Sequence, residues 1–169
     1  MDFKLRKWKK SDVPYLVKYA NNWEIAKNLT DQFPHPYGED DARKFLEMAM
    51  NIENALLYAI DINSAAVGSI GIFQQNDIHR LNAEMGYWLA EDFWGKGIIT
   101  AAIKQMVTLG FEKLEIQRIF ARPFGSNLAS QRVLQKADFK LEAIFKKVLI
   151  KNGKWEDELI FAYRKEWLK

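Results

Sequence analysis

The chain has 169 residues, 49% of them apolar and 14% aromatic, with 28% charged. That length and content describe a single domain, 1–169, with ample material for a packed core, and exclude wholesale disorder. Twenty-five basic against 22 acidic residues leave +3, spread along the chain with its densest clusters at Lys7, Lys9 and Lys10 and at Arg164, Lys165 and Lys169. A nucleic-acid binder concentrates such charge in a stripe, so a solvated surface is expected here and no nucleic-acid partner. No window approaches about 18 consecutive apolar residues, and Met1–Lys10 alternates apolar with basic side chains, so neither a membrane partner nor a cleavable leader is expected. Cysteine is absent and His35 and His79 are the two imidazoles, which excludes disulfides, a thiol nucleophile and a multi-histidine metal site. No metal is expected, and the expected compartment is the cytoplasm.

Phe3 to Trp8 alternates as a short first strand. Ser11-Asp12-Val13-Pro14 then supplies a helix cap with proline in the first turn, and Leu16, Val17 and Ala20 continue an apolar stripe. A second short helix is expected over Asn22–Leu29. Phe33-Pro34-His35-Pro36-Tyr37-Gly38 reads as a loop, because proline disfavours helix at the residue before it. Helical spacing resumes over Glu39–Asn51, with Ala42, Phe45, Leu46 and Ala49 on one side.

The period then changes. Ala55–Ile62 and Ala65–Gln75 read as strands joined by a tight turn at Asn63-Ser64. Leu81–Ala90 is a third, with Leu81, Ala83, Met85, Tyr87 and Leu89 on one face and Asn82, Glu84, Gly86, Trp88 and Ala90 on the other. Ile98, Ala102, Ile103, Met106, Val107 and Phe111 mark a long amphipathic helix beginning near Gly97. Gln117–Arg122 is a strand, Asn127–Lys136 a helix and Phe139–Ile150 a strand, and Asn152-Gly153 is a hairpin signal before a last strand, Trp155–Tyr163. Strands in consecutive runs, as well as alternating with helices, argue for an α/β mixed sheet with helices on both faces and against a doubly wound parallel one.

Three features carry chemistry. At Leu89-Ala90-Glu91-Asp92-Phe93-Trp94-Gly95-Lys96-Gly97-Ile98-Ile99-Thr100 a strand ends, a glycine loop follows and a long helix starts. Free N–H groups at a helix start carry partial positive charge that suits a phosphate, and glycine lets the backbone approach the anion; an ordinary strand-to-helix turn has the same composition. Asn127-Leu128-Ala129-Ser130 opens the following helix, where Asn127 either caps it or offers its amide to a ligand, and Ser130 lies one turn further on. Glu84 is a carboxylate within a largely apolar strand, either a general base on a face shared with Trp88 or a solvated surface residue. Trp23, Phe33 and Tyr37 form an aromatic group that reads equally as core or as a lid over a cleft, and His35 reads as local packing.

Trp94-Gly95-Lys96-Gly97, the long helix, the next strand and Asn127-x-x-Ser130 resemble the acetyl-CoA-binding core of the GNAT N-acetyltransferases. Phe33-Pro34-His35-Pro36-Tyr37, Asp41-Ala42-x-x-Phe45 and Glu84-Met85-Gly86-Tyr87-Trp88-Leu89 are similar to the RimJ/RimL branch, and the resemblance spans Leu5 to Trp167. It implies the acyl-CoA N-acyltransferase fold, a mixed and mostly antiparallel sheet of about seven strands. It also implies acetyl-CoA as cosubstrate and a primary amine as acceptor, a protein N-terminal α-amine or a small amine. The pyrophosphate would meet the amides from Trp94 to Thr100, that is Trp94, Gly95, Lys96, Gly97, Ile98, Ile99 and Thr100. Pantetheine would run along Leu89 like an extra strand, with Asn127 fixing the arm. Glu84 would be the base, N–H groups near Trp88 and Leu89 would serve the oxyanion, and Ser130 would return a proton to sulfur, with Tyr87 as second choice. Acceptor selection would involve Trp23, Phe33 and Tyr37. Arg132 and Lys136 read as a phosphate contact or as plain surface charge. Two positions depart from the family pattern: Asp92 stands where Gln or Arg is usual, which leaves phosphate binding to backbone amides, and Asp138 replaces a glycine before Phe139. The alternative readings are a non-catalytic CoA-binding module of the same fold and a nucleotide- or phosphate-binding interaction domain. As to assembly, a monomer or a homodimer is expected.

Overall fold

A computed structural model describes residues 2–168; Met1 and Lys169, the ends of the single-domain reading and of its basic clusters, lie outside the described residues. In chain order the elements are β1 (Lys4–Arg6), α1 (Val13–Ala20), α2 (Trp23–Ala26), α3 (Glu39–Asn51), β2 (Ala55–Ile62), β3 (Ala65–Gln74), β4 (Asn82–Leu89), α4 (Ile98–Lys113), β5 (Arg118–Ala121), α5 (Leu128–Lys136), β6 (Lys140–Lys151) and β7 (Lys154–Arg164). The strands form one seven-stranded sheet in the order β1-β2-β3-β4-β5-β7-β6. It is mixed: β4 and β5 pair in parallel, whereas β1 with β2, β5 with β7 and β6 with β7 are antiparallel. The α/β architecture read from the sequence is the one found.

Local chemistry explains the joints. Asn63 and Ser64 both have positive φ (51° and 68°), as do Asn152 and Gly153 (52° and 72°); a two-residue turn of that hand matches the twist of the strands it joins. Asp138 sits at φ 66°, so an aspartate does tolerate the left-handed backbone where the family pattern has glycine. Several expected elements are shorter than the sequence suggested, the first strand and the second helix among them. The first strand covers Lys4–Arg6, not Phe3–Trp8, and a 3-10 turn at Lys10–Asp12 takes over, with Lys9 N–H donating to Asp12 Oδ2 at 2.9 Å. The second helix is a single turn capped by Asn22, whose Oδ1 accepts from Glu24 N–H.

The chain divides into two compact units, the first running to Gly71 and adding Tyr87–Ile98, the second taking Ile72–Gly86 and the chain from Ile99 onward. In the first unit Trp8, Leu16, Ala20, Ile25, Ala42, Leu46, Ile60 and Val67 are buried, and Trp8 meets Phe45 edge-on at 5.1 Å. A buried charge cluster lies among them: Arg6 forks onto Asp12 at 2.7 and 2.8 Å and reaches Asp61 through Nε. In the second unit α4 buries Ala102, Ile103, Met106, Val107 and Phe111, the stripe its spacing predicts. Tyr163 gathers Phe111, Phe139 and Trp167 at 6.1, 5.7 and 5.8 Å. Each large apolar side chain so buried contributes about 1.5–3 kcal/mol.

Candidate active site

The first unit carries the glycine bend. Ala90 N–H pairs with Val67 O at 2.8 Å, and Glu91–Phe93 forms a 3-10 turn closed by Phe93 N–H to Ala90 O and Trp94 N–H to Glu91 O, both 3.0 Å. The Trp94 amide thus donates within this turn. The Trp94 indole donates to Leu89 O at 2.7 Å, and Lys96 folds back, its Nζ 2.6 Å from Asp92 O and 5.3 Å from the Phe93 ring centre. Gly95 and Gly97 have φ 72° and 76°, and a Cβ on either would meet no atom within 4 Å. Their conformation, not crowding, requires glycine there. None of the amides of Gly95, Lys96 and Gly97 donates to another backbone carbonyl. The N–H groups of Ile98, Ile99 and Thr100 open α4, where the first turn has no intrahelical acceptors. Ile98 is buried, and Ile99 and Thr100 are half-buried.

The aromatic group of the same unit is partly assembled. Phe33 lies 5.4 Å from Tyr37 and 6.2 Å from Trp88, while Trp23 stacks at 5.5 Å on His35 and remains 46% exposed. Tyr37 is buried with its amide on Asn21 Oδ1, and burial, aided by the Asp41 charge, pushes its phenol well above the usual tyrosine range. Trp88 and Leu89 are buried as well. Gly68 explains how tightly this end of β4 is held: a Cβ there would lie 2.6 Å from Trp88 O and 3.2 Å from Leu89 Cα.

The second unit carries Glu84. Parallel pairing of β4 with β5 runs from Asn82↔Arg118 to Glu84↔Phe120, and β4 continues to Leu89. Glu84 is not a lone surface carboxylate: Arg122 places Nε and Nη2 on its two oxygens, each at 3.0 Å, and turns Nη1 toward Glu158 at 3.7 Å. The Glu84 hydrogen bond strengthens the hold of Arg122 on its proton, against partial burial. Alongside, Arg118 bonds Asn82 Oδ1 and shares Glu142 with Arg164. Partial burial would raise the Glu142 carboxyl, but the two arginines hold it below its usual range. A concavity of ≈280 Å³ lined by Gln75, His79, Asn82, Arg118 and Phe120 opens here, and Phe120 is the register partner of Glu84.

On α5, Asn127 Oδ1 accepts from Ser130 N–H at 3.1 Å. The capping alternative is the one realised, and the Asn127 side-chain N–H groups are a separate, second capacity. Arg132 and Lys136 are exposed. Tyr87, by strand alternation, lies on the face opposite Glu84. The sequence reading missed Arg122, Glu158 and Arg118. The alternation Arg118, Phe120, Arg122 was visible, but only the register of β5 on β4 brings Arg122 to Glu84. Among the described residues there is no group of three or more acidic, histidine or cysteine side chains fit for a metal, and no helix is long and apolar enough to cross a membrane.

The chain is similar to known proteins. The family model for the acetyltransferase (GNAT) domain matches residues 2–140. The chain is 34% identical over 128 residues to "Probable N-acetyltransferase YjcK" of Bacillus subtilis (strain 168), covering 73% of this chain and 71% of that protein. It is 32% identical over 95 residues to the ribosomal-protein-serine acetyltransferase of Escherichia coli (strain K12), covering 55% and 53%. The solved structure of RimL, a ribosomal L7/L12 alpha-N-protein acetyltransferase in complex with coenzyme A, superimposes with a TM-score of 0.85 at 24% identity, over 96% of this chain and 93% of that one. With its sheet order, glycine bend and family match together, the chain belongs to the GNAT acetyltransferases and is an N-acetyltransferase.

Proposed function

We propose that the chain is one N-acetyltransferase domain of the cytoplasm that moves the acetyl group of acetyl-CoA directly to a primary amine in a ternary complex, the amine being a protein N-terminal α-amine. One observation carries the cosubstrate: the left-handed Gly95 and Gly97 have open space around them, and the amides of Gly95, Lys96 and Gly97 have no backbone carbonyl partner among the described residues. Such amides stabilise a pyrophosphate without a cationic side chain, and Lys96 is drawn back toward Asp92. Asn127 would bond the pantetheine arm through its side-chain N–H groups, and Trp88 and Leu89 would supply oxyanion donors.

Acceptor class follows from proton energetics. At pH 7 a lysine amine of pKa near 10.4 costs ~4.6 kcal/mol to neutralise, an α-amine near 8 only ~1.4. A single carboxylate suffices for the second. Glu84 takes the ammonium proton and passes it to solvent, and the freed nitrogen attacks the thioester carbonyl; as the C–S bond breaks, Ser130 gives its hydroxyl proton to the departing sulfur and is reprotonated by the second proton that the acylated nitrogen sheds, leaving the amide and the CoA thiol. Phe33, Tyr37 and Trp23 would contact the acceptor. The ribosomal-protein-serine acetyltransferase among its relatives supports a protein acceptor.

The test is a thiol-release assay with peptides of free N-terminus, beside acetyl-CoA-induced stabilisation. Glu84→Gln is expected to lower kcat by about 10²–10⁴ and Ser130→Ala by a smaller factor, each with unchanged Kd for CoA. Full activity in both variants overturns their roles. One observation favours a second reading, a non-catalytic CoA-binding module: both Glu84 oxygens are held by Arg122. Stabilisation by acetyl-CoA without thiol release from any amine would establish it.

A further inference from the structure

A carboxylate that must take a proton is found clamped by the one side chain that never gives one up. Arg122 meets Glu84 along one edge, Nε and Nη2 on the two oxygens at 3.0 Å each, and its remaining corner, Nη1, faces Glu158 at 3.7 Å. The three groups sum to −1. The backbone holds this arrangement: Leu159 N–H donates to Pro123 O at 3.1 Å, and Phe124 bridges Glu158, so the residues following Arg122 are pinned to the strand that bears Glu158.

Resting on the reading of Glu84 as the base, we propose that Arg122 is its positioning residue: the guanidinium fork aims the Glu84 carboxylate, and Glu158 receives the guanidinium when an acceptor ammonium approaches Glu84. Other charges do not compete for this role. β3, Ala65–Gln74, has no titratable side chain, and the β5 partner of Glu84 is Phe120. Arg118 and Arg164 are both committed to Glu142. Glu84 is the one ionisable group on β4 besides Tyr87, which projects to the other face.

The sequence of events balances in charge and protons. With the fork in place the Glu84 carboxylate is oriented, both its oxygens held by the guanidinium. An arriving ammonium repels Arg122, which keeps a carboxylate by turning to Glu158, and Glu84 then carries the proton as the amine becomes neutral. A lysine at this position would supply charge without the planar fork. The side chains of Arg122 and Glu84 are 46% and 30% exposed, so the pair contributes little to folding, and its removal leaves a folded protein.

The experiment follows the Glu84 δ-carboxyl in ¹³C-labelled protein, its resonance identified by its absence in Glu84→Gln, alongside kcat/KM against pH with an N-terminal peptide amine. In Arg122→Gln the carboxyl midpoint is expected to rise, with the acid limb of kcat/KM moving with it. In Glu158→Gln both are expected to fall, because Arg122 then has a single partner. Arg122→Lys should restore the midpoint but not kcat. A midpoint and limb in Arg122→Gln that stay at their wild-type positions overturn the proposal, as does Glu158→Gln moving them upward. The two layers separate cleanly: an acid limb that survives in Glu84→Gln overturns Glu84 as base, whereas a limb lost in Glu84→Gln yet unmoved in Arg122→Gln overturns the role of Arg122 alone. Melting curves of each variant accompany the titrations, and Glu158→Gln decides the matter if Arg122→Gln fails to fold.

Discussion

The indole N–H of Trp94 is bonded to the carbonyl of Leu89 at 2.7 Å, across the turn that links the end of β4 to the glycine bend. That carbonyl is the one an extended pantetheine arm would use in running beside Leu89. A ligand amide would have to displace the indole, giving up a hydrogen bond of about 0.5–1.5 kcal/mol net. Trp94→Phe keeps the ring and removes the donor, so CoA should bind roughly 2–10-fold more tightly, measured by calorimetry. Weaker binding in Trp94→Phe would show that the indole holds the bend in its binding shape and that pantetheine does not use Leu89 O.

Gly97 separates conformational strain from ligand approach. At φ 76° an alanine costs about 1–2 kcal/mol, and no neighbouring atom obstructs its methyl group. Gly97→Ala should therefore fold, with a modest fall in melting temperature. Its Cβ would stand in front of the amides assigned to the pyrophosphate, and the Kd for CoA is expected to rise at least about tenfold, or ~1.4 kcal/mol. A Kd equal to that of the wild type sinks the assignment of phosphate binding to this bend.

What could be read from the chain follows the range of the interactions. The Ile98-to-Phe111 stripe is a local periodicity, and Asn63-Ser64 and Asn152-Gly153 are local backbone preferences; all three reappear in the structure. The glycine bend was visible because Gly95 and Gly97 are themselves the unusual residues. Glu84 was visible as a type but not as a partner, because Arg122 reaches it only through a parallel register set across the whole of α4. The spending of the Trp94 amide depended on a 3-10 turn at Glu91–Phe93, which no apolar period announces. Arg6 likewise lies in the short first strand, and its partners Asp12 and Asp61 are six and 55 positions away.

Gly68 tests how rigidly the end of β4 is set. The nearest atom to an added Cβ is backbone, Trp88 O at 2.6 Å, which cannot rotate away as a side-chain tip does; Leu89 Cδ1 at 3.1 Å and Leu89 Cα at 3.2 Å follow. Gly68→Ala should cost about 1–3 kcal/mol and lower the melting temperature by roughly 2–12 °C. Because the displaced atoms are those of Trp88 and Leu89, CoA affinity should fall in the same variant. An unchanged melting temperature would mean that β3 and β4 part here without cost.

Arg6 provides a stability test remote from the chemistry. Asp12 and Asp61 are 2% and 3% exposed, and each also accepts a backbone N–H, from Lys9 at 2.9 Å and from Ser64 at 3.0 Å. These carboxylates thus anchor the turn before α1 and the turn after β2 to a single guanidinium. The hydrogen bonds that Arg6 donates, first to Asp12 and then to Asp61, hold the arginine proton more firmly than usual despite burial. A folded-state affinity raised in this way contributes stability that is fully present below the ordinary arginine range, so it is constant across physiological pH. Arg6→Met removes the cation and leaves two buried carboxylates facing each other, a loss of about 3–5 kcal/mol. Arg6→Lys retains the charge but cannot fork onto Asp12 while reaching Asp61, and should lose less than Arg6→Met. Denaturant unfolding at pH 7 orders the three proteins; equal midpoints for Arg6→Met and wild type would show that the cluster, buried as it is, does not hold the two turns together.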